Sequence, residues 1–79
     1  MRKKYPALVK LGKRIRELRK AKGFSQESFA YEVGLDRTYM GGIERGERNI
    51  AALNIIRIAK TLKVEVGEIF PPIRNLPVD

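Results

Sequence analysis

Residues 26–45 read QESFAYEVGLDRTYMGGIER, and this stretch predicts two short helices joined by a tight turn. Gly34 stands where the first helix would end with a positive φ, and Asp36 is a good N-cap for the second. Apolar residues recur at helical spacing on both sides of the turn: Phe29, Ala30 and Val33 before it, Met40 and Ile43 after it. Two helices joined by a short turn that contains glycine make a helix-turn-helix.

The flanking sequence predicts three further helices. Apolar periodicity and helix stop signals place them at about 7–22, 51–62 and 66–70. We expect an all-α, compact five-helix bundle over residues 7–70, with a basic arm at 1–6 and a short tail without periodicity at 71–79. In the fourth predicted helix the expected buried stripe is Ala52, Ile55, Ala59 and Leu62, with Ile56 and Ile58 beside it.

The charge of the chain favours a polyanionic partner. Its 79 residues include 17 lysines and arginines against 9 acidic residues, for a formal charge of +8. Such an excess on a small domain is typical of nucleic-acid binding, although a solubilising surface is the alternative. Cysteine and histidine are absent, which removes the usual metal ligands and the commonest general base. Since the glutamates are also scattered, we expect no enzyme activity, metal or other cofactor.

The chain contains no apolar run of about 18 residues that could span a membrane. No apolar signal-peptide segment follows the basic N-terminus, so we expect a cytoplasmic protein. A chain of this size buries only about 60% of its unfolded surface, which makes a dimer plausible.

The sequence resembles the Xre-type, lambda-repressor-like helix-turn-helix family over about residues 11–70. The resemblance is carried by RIRELRKAKGFSQE at 14–27, AxxxGL at 30–35, DRTY at 36–39 and GIERGERN at 42–49. DRTYxxGIER further resembles the controller proteins of restriction–modification systems. The resemblance implies a transcriptional repressor or controller, with autoregulation as one option. Such a protein reads a palindromic double-stranded DNA operator as a homodimer.

The resemblance implies a base-reading set on the third helix: Arg37, Thr38, Gly42 and Tyr39. Arginine can bind guanine O6 and N7 together, and threonine can contact a base edge or a thymine methyl group. The alternatives are an ion pair of Arg37 with Asp36 or Glu32, and a local backbone hydrogen bond for Thr38. Tyr39 could bind a phosphate or fill part of the core.

The resemblance also implies a phosphate-binding set around the two helices: Ser25, Gln26, Arg45, Arg48 and Asn49. Arg48 could also reach a base or a minor-groove edge. Plain solvent exposure is the alternative for each member of this set. Two glycines in succession, Gly41 and Gly42, suggest either close approach to DNA or close packing against a helix. The arm residues Arg2, Lys3 and Lys4 could reach the DNA backbone or stay disordered.

Two further groups of residues are assigned to the scaffold and to assembly. By resemblance, Arg19 and Glu44 form a structural ion pair between the first and third helices. The candidates for a two-fold dimer interface are apolar residues near the C-terminus: Leu53, Ile56, Ile69, Phe70 and Ile73. Their alternative is burial within one protomer.

The sequence departs from the family pattern after the fourth helix. Lys63 stands where the family often has glycine, so it is expected to need a left-handed conformation that costs about 1 kcal/mol or more. Glu65 is a poor N-cap where serine or aspartate is usual. These departures concern the corner between the last two helices.

A different class of function is an antitoxin-like protein whose main partner is another protein. Only residues 71–79 could then wrap that partner, which disfavours this alternative.

Overall fold

The computed structural model describes residues 4–77, and within them the chain is all α-helical. The α-helices are α1 Pro6–Ala21, α2 Gln26–Val33, α3 Arg37–Glu44, α4 Ala52–Leu62 and α5 Val66–Ile69. A 3-10 turn, Ile73–Asn75, lies in the C-terminal tail, for which the sequence shows no periodicity. The predicted fold class, five helices with a helix-turn-helix at the second and third, is confirmed. The arm residues Arg2 and Lys3 lie outside the described residues.

The two central helices begin at the predicted caps. The Ser25 hydroxyl accepts from the Ser28 backbone N–H at 3.0 Å, and the Ser28 hydroxyl accepts from the Ser25 N–H at 3.1 Å. Asp36 Oδ2 accepts from the backbone N–H groups of Thr38 and Tyr39 at 3.0 and 3.3 Å. Gly34 has a φ of 88°, which a β-carbon would disfavour. Local chemistry therefore fixes both ends of the turn.

The largest fully buried side chains come from all five helices: Ile15, Phe29, Met40, Ile43, Ile58, Leu62 and Ile69. In α4 the face toward the core consists of the half-buried Ile55 and the buried Ile58, Ala59 and Leu62, whereas Ala52 is exposed. The predicted stripe was therefore wrong at Ala52, and Ile58, predicted to lie beside the stripe, belongs to it. The face begins only at Ile55, since Ala52 and Leu53 in the first turn of α4 are exposed.

Ile69 was predicted as a dimer-interface residue, and the structure corrects this. Its exposed fraction is 0% because it closes the core beneath α1 and α4, which both contact α5. A side chain that is fully covered within one protomer offers no surface to a second copy. The sequence could not separate these cases, since an apolar residue in a short helix suits either environment.

Gly12 sets how closely α1 approaches α3, and the sequence analysis did not single it out. It is buried, and a β-carbon added to it would overlap the Ile43 carbonyl oxygen and lie 2.7 Å from the Glu44 carbonyl oxygen. Only glycine therefore fits at this crossing. The crossing holds α3 against α1, and with it the position of the exposed face of α3.

The corner between α4 and α5 contains the predicted strained residue. Lys63 adopts φ 58° and ψ 45°, which is the left-handed conformation expected from the departure at this position. At the start of α5, Glu68 Oε2 accepts from the Glu65 backbone N–H at 2.8 Å. The carboxylate of Glu68 thus satisfies one free donor where Glu65 is a weak cap.

Candidate nucleic-acid interface

The turn between α2 and α3 presents the first residues of α3 to solvent. The Leu35 backbone N–H donates to the Ala30 carbonyl at 2.9 Å and closes the end of α2. Leu35 then packs against the core, so α3 starts at a fixed point on the domain. Arg37 and Thr38 are exposed in its first turn, while the residues from Met40 to Glu44 are buried.

Arg37 is available to a ligand in this arrangement. Its side chain forms no ion pair or hydrogen bond with any residue in 4–77, so the alternative pairing with Asp36 or Glu32 is not formed there. The Asp36 carboxylate is instead used to cap α3. Thr38 is likewise exposed, and its backbone N–H rather than its hydroxyl takes part in that cap.

Tyr39 and Gly42 of α3 form a small cluster with Arg48 from the following loop. The Arg48 guanidinium carbon lies 5.6 Å from the centroid of the half-buried Tyr39 ring. A β-carbon added to Gly42 would lie 3.0 Å from Arg48 Cγ and 3.2 Å from Arg48 Nε. Gly42 is therefore covered by Arg48. The prediction that Gly42 lies on the open, base-reading face of α3 was wrong. The reason is that the loop after α3 brings the Arg48 side chain back over the helix.

A second group surrounds the start of α2. Arg16, Arg19, Gln26, Glu44 and Arg45 line a cleft of about 260 Å³. Arg16 was not predicted as a site residue, although it precedes Arg19 by three positions and so shares its side of α1. Arg16 is exposed and has no carboxylate partner among residues 4–77. It therefore adds an unpaired positive charge to the cleft.

The floor of this cleft is a buried ion pair. Arg19 Nε donates to Glu44 Oε2 at 2.7 Å, and Arg19 Nη2 donates to Glu44 Oε1 at 3.0 Å. Arg19 Nη1 also donates to the Phe24 carbonyl at 2.9 Å. With exposed fractions of 6% and 8%, Arg19 and Glu44 belong to the scaffold between α1 and α3.

The predicted phosphate-binding residues divide into separate places. Gln26 Nε2 donates to Glu44 Oε1 at 3.1 Å, which fixes the amide at the cleft. Arg45 lies at the same cleft and pairs with Glu47 at 3.2 Å. Ser25 is exposed but its hydroxyl serves the cap of α2, and Asn49 is exposed in the loop after α3. The structure thus joins Gln26 with Arg45, while Arg48 lies with Tyr39.

Four of the predicted dimer-interface residues are exposed in the protomer. Leu53 and Ile56 are 57% and 44% exposed and lie three positions apart on α4. Phe70 and Ile73, after α5, are 38% and 83% exposed. Val66 on α5 is 41% exposed and was not predicted.

The described residues lack two features that are typical of other classes of protein. Within residues 4–77, no group of three or more His, Cys, Asp or Glu side chains is arranged to hold a metal ion. No helix in the same part of the chain is long and apolar enough to cross a membrane.

Comparison with known proteins gives consistent matches. The HTH_3 family, described as helix-turn-helix, matches residues 15–69. The control protein C.MunI of Mycoplasma sp is 41% identical over 68 residues, which cover 85% of this chain and 92% of that protein.

Two solved structures are also similar. The restriction-modification controller protein C.AhdI from Aeromonas hydrophila superposes with a TM-score of 0.82 at 55% identity, covering 84% of this chain and all of that one. The biofilm master regulator SinR, solved in complex with DNA, gives a TM-score of 0.72 at 30% identity, covering 75% of this chain and 95% of that one.

Proposed function

Because this chain belongs to the HTH_3 helix-turn-helix family, we propose that it controls transcription by binding an operator as a homodimer. It is a DNA-binding transcription regulator and not an enzyme. The similarity to the controller proteins C.MunI and C.AhdI supports a controller role, and nothing supports the antitoxin alternative. We place the protein in the cytoplasm, where it would meet its DNA operator.

The observation that carries this proposal is the exposed first turn of α3. Arg37 and Thr38 extend from a helix whose other side is anchored in the core, and Arg37 has no partner within residues 4–77. A rigid helix with a free arginine suits the major groove, where arginine binds guanine O6 and N7 in a bidentate manner. Arg37 and Thr38 are therefore assigned to base reading.

The cleft at the start of α2 is assigned to the DNA backbone. Arg16 and Arg45 supply positive charge there, and the N-terminus of an eight-residue helix attracts anions through its free N–H groups. Gln26 is already held in place by Glu44, so its contact with a phosphate requires little reordering. Ser25, Arg48 and Asn49 extend this positioning set along the loop and the helix start. Such contacts give affinity without sequence information.

The size of the protomer supports a dimer. Its longest dimension is 32 Å, whereas two successive major grooves on one side of the duplex lie about 34–36 Å apart. One copy cannot place α3 in both grooves. The exposed apolar residues Leu53, Ile56, Phe70 and Ile73 are the surface that we assign to the two-fold contact.

The proposal is tested by fluorescence anisotropy with DNA from upstream of the protein's own gene. A shuffled duplex of equal length is the comparison, and both are titrated at several salt concentrations. We expect tighter binding to the native sequence and a log–log salt slope of about −0.9 per phosphate contact. Equal, weak binding to both duplexes would contradict the proposed operator, and a footprint of the native duplex would test the half-site spacing.

Arg37→Ala should remove part of the sequence preference without unfolding the protein. We expect the preference to fall by about 1–3 kcal/mol, because one bidentate base contact is lost. The matched control is Lys10→Ala, which removes an exposed positive charge from α1 and should leave the preference unchanged. An unchanged preference in Arg37→Ala would show that the first turn of α3 does not read the bases.

A further inference from the structure

Arg48 lies in the space that the missing side chain of Gly42 leaves on α3. A β-carbon at Gly42 would be 3.0 Å from Arg48 Cγ, 3.2 Å from Nε and 3.6 Å from Cδ. Cγ and Cδ belong to the stem of the side chain, and Nε joins that stem to the rest of the guanidinium group. Alanine at this position would therefore require the stem of Arg48 to shift by a few tenths of an ångström, because both Cγ and Nε would be in tight contact with the added carbon.

Tyr39 forms the other side of the same seat. It precedes Gly42 by three positions in α3, so the two residues lie on one side of the helix. Its ring lies 5.6 Å from the Arg48 guanidinium carbon, which is within the range of a cation–π contact. We use the term Arg48 seat for Tyr39 and Gly42 together.

Packing, and not hydrogen bonding, holds the stem of Arg48. Its Nε is buried and has no hydrogen-bond partner among the described residues. Arg48 also forms no ion pair within residues 4–77, whereas the neighbouring Arg45 pairs with Glu47. A long flexible side chain without an ion pair among the described residues thus packs against an aromatic ring and a glycine.

We propose that Gly42 is a positioning residue for DNA binding, because it seats Arg48 against Tyr39 before DNA arrives. This inference rests on the proposed function and extends it from Arg48 to the residues that order it. Ordering an arginine in advance reduces the rotamer entropy that is lost on binding. Gly42 touches no DNA in this proposal, which replaces the base-reading role expected from its place on α3.

A double-mutant cycle tests the seat. The four proteins are the wild type, Gly42→Ala, Arg48→Ala and the variant with both changes, titrated with the upstream duplex at several salt concentrations. We expect Gly42→Ala to weaken binding about fivefold or more and to lower the salt slope by about 0.9, as loss of one phosphate contact would. In the Arg48→Ala background the added alanine should change affinity by less than about twofold.

Two glycine variants control for helix propensity and folding. Gly41→Ala adds the same methyl group to α3 but approaches the ends of Arg45 and Gln26, at 3.0 and 3.4 Å, and not Arg48. Gly41→Ala should change DNA affinity by the same factor in the wild-type protein and in the Arg48→Ala variant. Gly67→Ala adds a methyl group to α5 in open space and should leave binding unchanged. Thermal melts of each variant show whether it is folded at the temperature of the titration.

Two substitutions of Tyr39 test the contact between its ring and Arg48. Tyr39→Phe keeps the aromatic face and should retain the coupling between positions 42 and 48, whereas Tyr39→Leu removes that face and should weaken it. The Arg48 seat would be contradicted if Gly42→Ala lowered DNA affinity equally in the wild-type and Arg48→Ala proteins, or lowered it in neither. A wild type without preference for the upstream duplex would instead contradict the proposed operator, and the cycle could still be measured on nonspecific DNA.

Discussion

Arg19 shows how one residue connects the scaffold to the candidate interface. Its guanidinium group makes two hydrogen bonds to Glu44 and one to the Phe24 carbonyl, so each of its three nitrogen atoms donates within the fold. Glu44 in turn accepts from Gln26 at the cleft. A buried charge that is satisfied in this way stabilises the fold only while both partners are present.

Arg19→Ala should therefore destabilise the protein strongly. We expect the free energy of unfolding to fall by about 3–5 kcal/mol, because Glu44 would remain as a buried charge without its partner. Urea denaturation followed by circular dichroism measures this change. Arg16→Ala is the matched control on the same helix, and because Arg16 is exposed the change should stay within about 0.5 kcal/mol. A loss below about 1 kcal/mol for Arg19→Ala would contradict a scaffold role for the pair.

At the scale of helices, the α1–α3 crossing depends on Gly12. The backbone of α3 occupies the space that a side chain at this position would fill. Because backbone atoms cannot rotate away as a flexible side chain can, the two helices would have to separate. The exposed face of α3 and the Arg19–Glu44 pair both depend on this distance.

Gly12→Ala should destabilise the protein although alanine is the better helix former. Alanine would normally add about 1 kcal/mol within a helix, but overpacking at this contact should cost about 1–3 kcal/mol or more. Thermal and urea denaturation give the net change. Gly67→Ala, with nothing within 4 Å of its added carbon, should show no loss. Stabilisation by Gly12→Ala would mean that the helices do not cross this closely.

Lys63→Gly should stabilise the protein. Glycine adopts the left-handed conformation at the end of α4 without the steric cost of a β-carbon, so we expect a gain of about 1 kcal/mol. For a domain of this size that gain corresponds to an increase of about 4–8 °C in Tm. Lys60→Gly, inside the last turn of α4, should lower Tm instead because glycine is a poor helix former. A lower Tm for both variants would contradict the left-handed corner.

At the scale of the whole molecule, the positive charge and small size of the protomer are consistent with the proposed DNA-binding homodimer. The formal charge of +8 favours contact with the phosphate backbone, and the palindromic site proposed above would need two copies because each protomer contributes one α3. The exposed apolar residues that remain after α4 and α5 pack are the surface available for pairing. Assembly and DNA binding should therefore be linked.

Ile73→Asp should weaken self-association without unfolding the protomer, because Ile73 is 83% exposed. We expect the dimer dissociation constant to rise by at least about tenfold, as for a residue at the centre of an interface. Sedimentation velocity over a range of concentrations measures this change. Tyr31→Asp is the control, since Tyr31 is 82% exposed but lies on α2 and is not one of the residues of the proposed surface. Unchanged association in Ile73→Asp would remove Ile73 from the interface.

Local chemistry made much of this protein predictable from its sequence. The caps at Ser25 and Asp36 and the turn at Gly34 depend on neighbouring residues, so their spacing along the chain was enough. The left-handed Lys63 followed from the family resemblance, and the family was shown by motifs that span most of the domain.

Contacts between distant segments required the tertiary structure. The burial of Ile69, the fit of Gly12 against α3 and the cover of Gly42 by Arg48 each depend on where another segment lies. A glycine in a sequence does not show which atoms fill the space beside it, and an apolar residue does not show which surface covers it. The helices and their motif were therefore fixed by local patterns, whereas the residues that order the candidate interface were decided by how the helices pack.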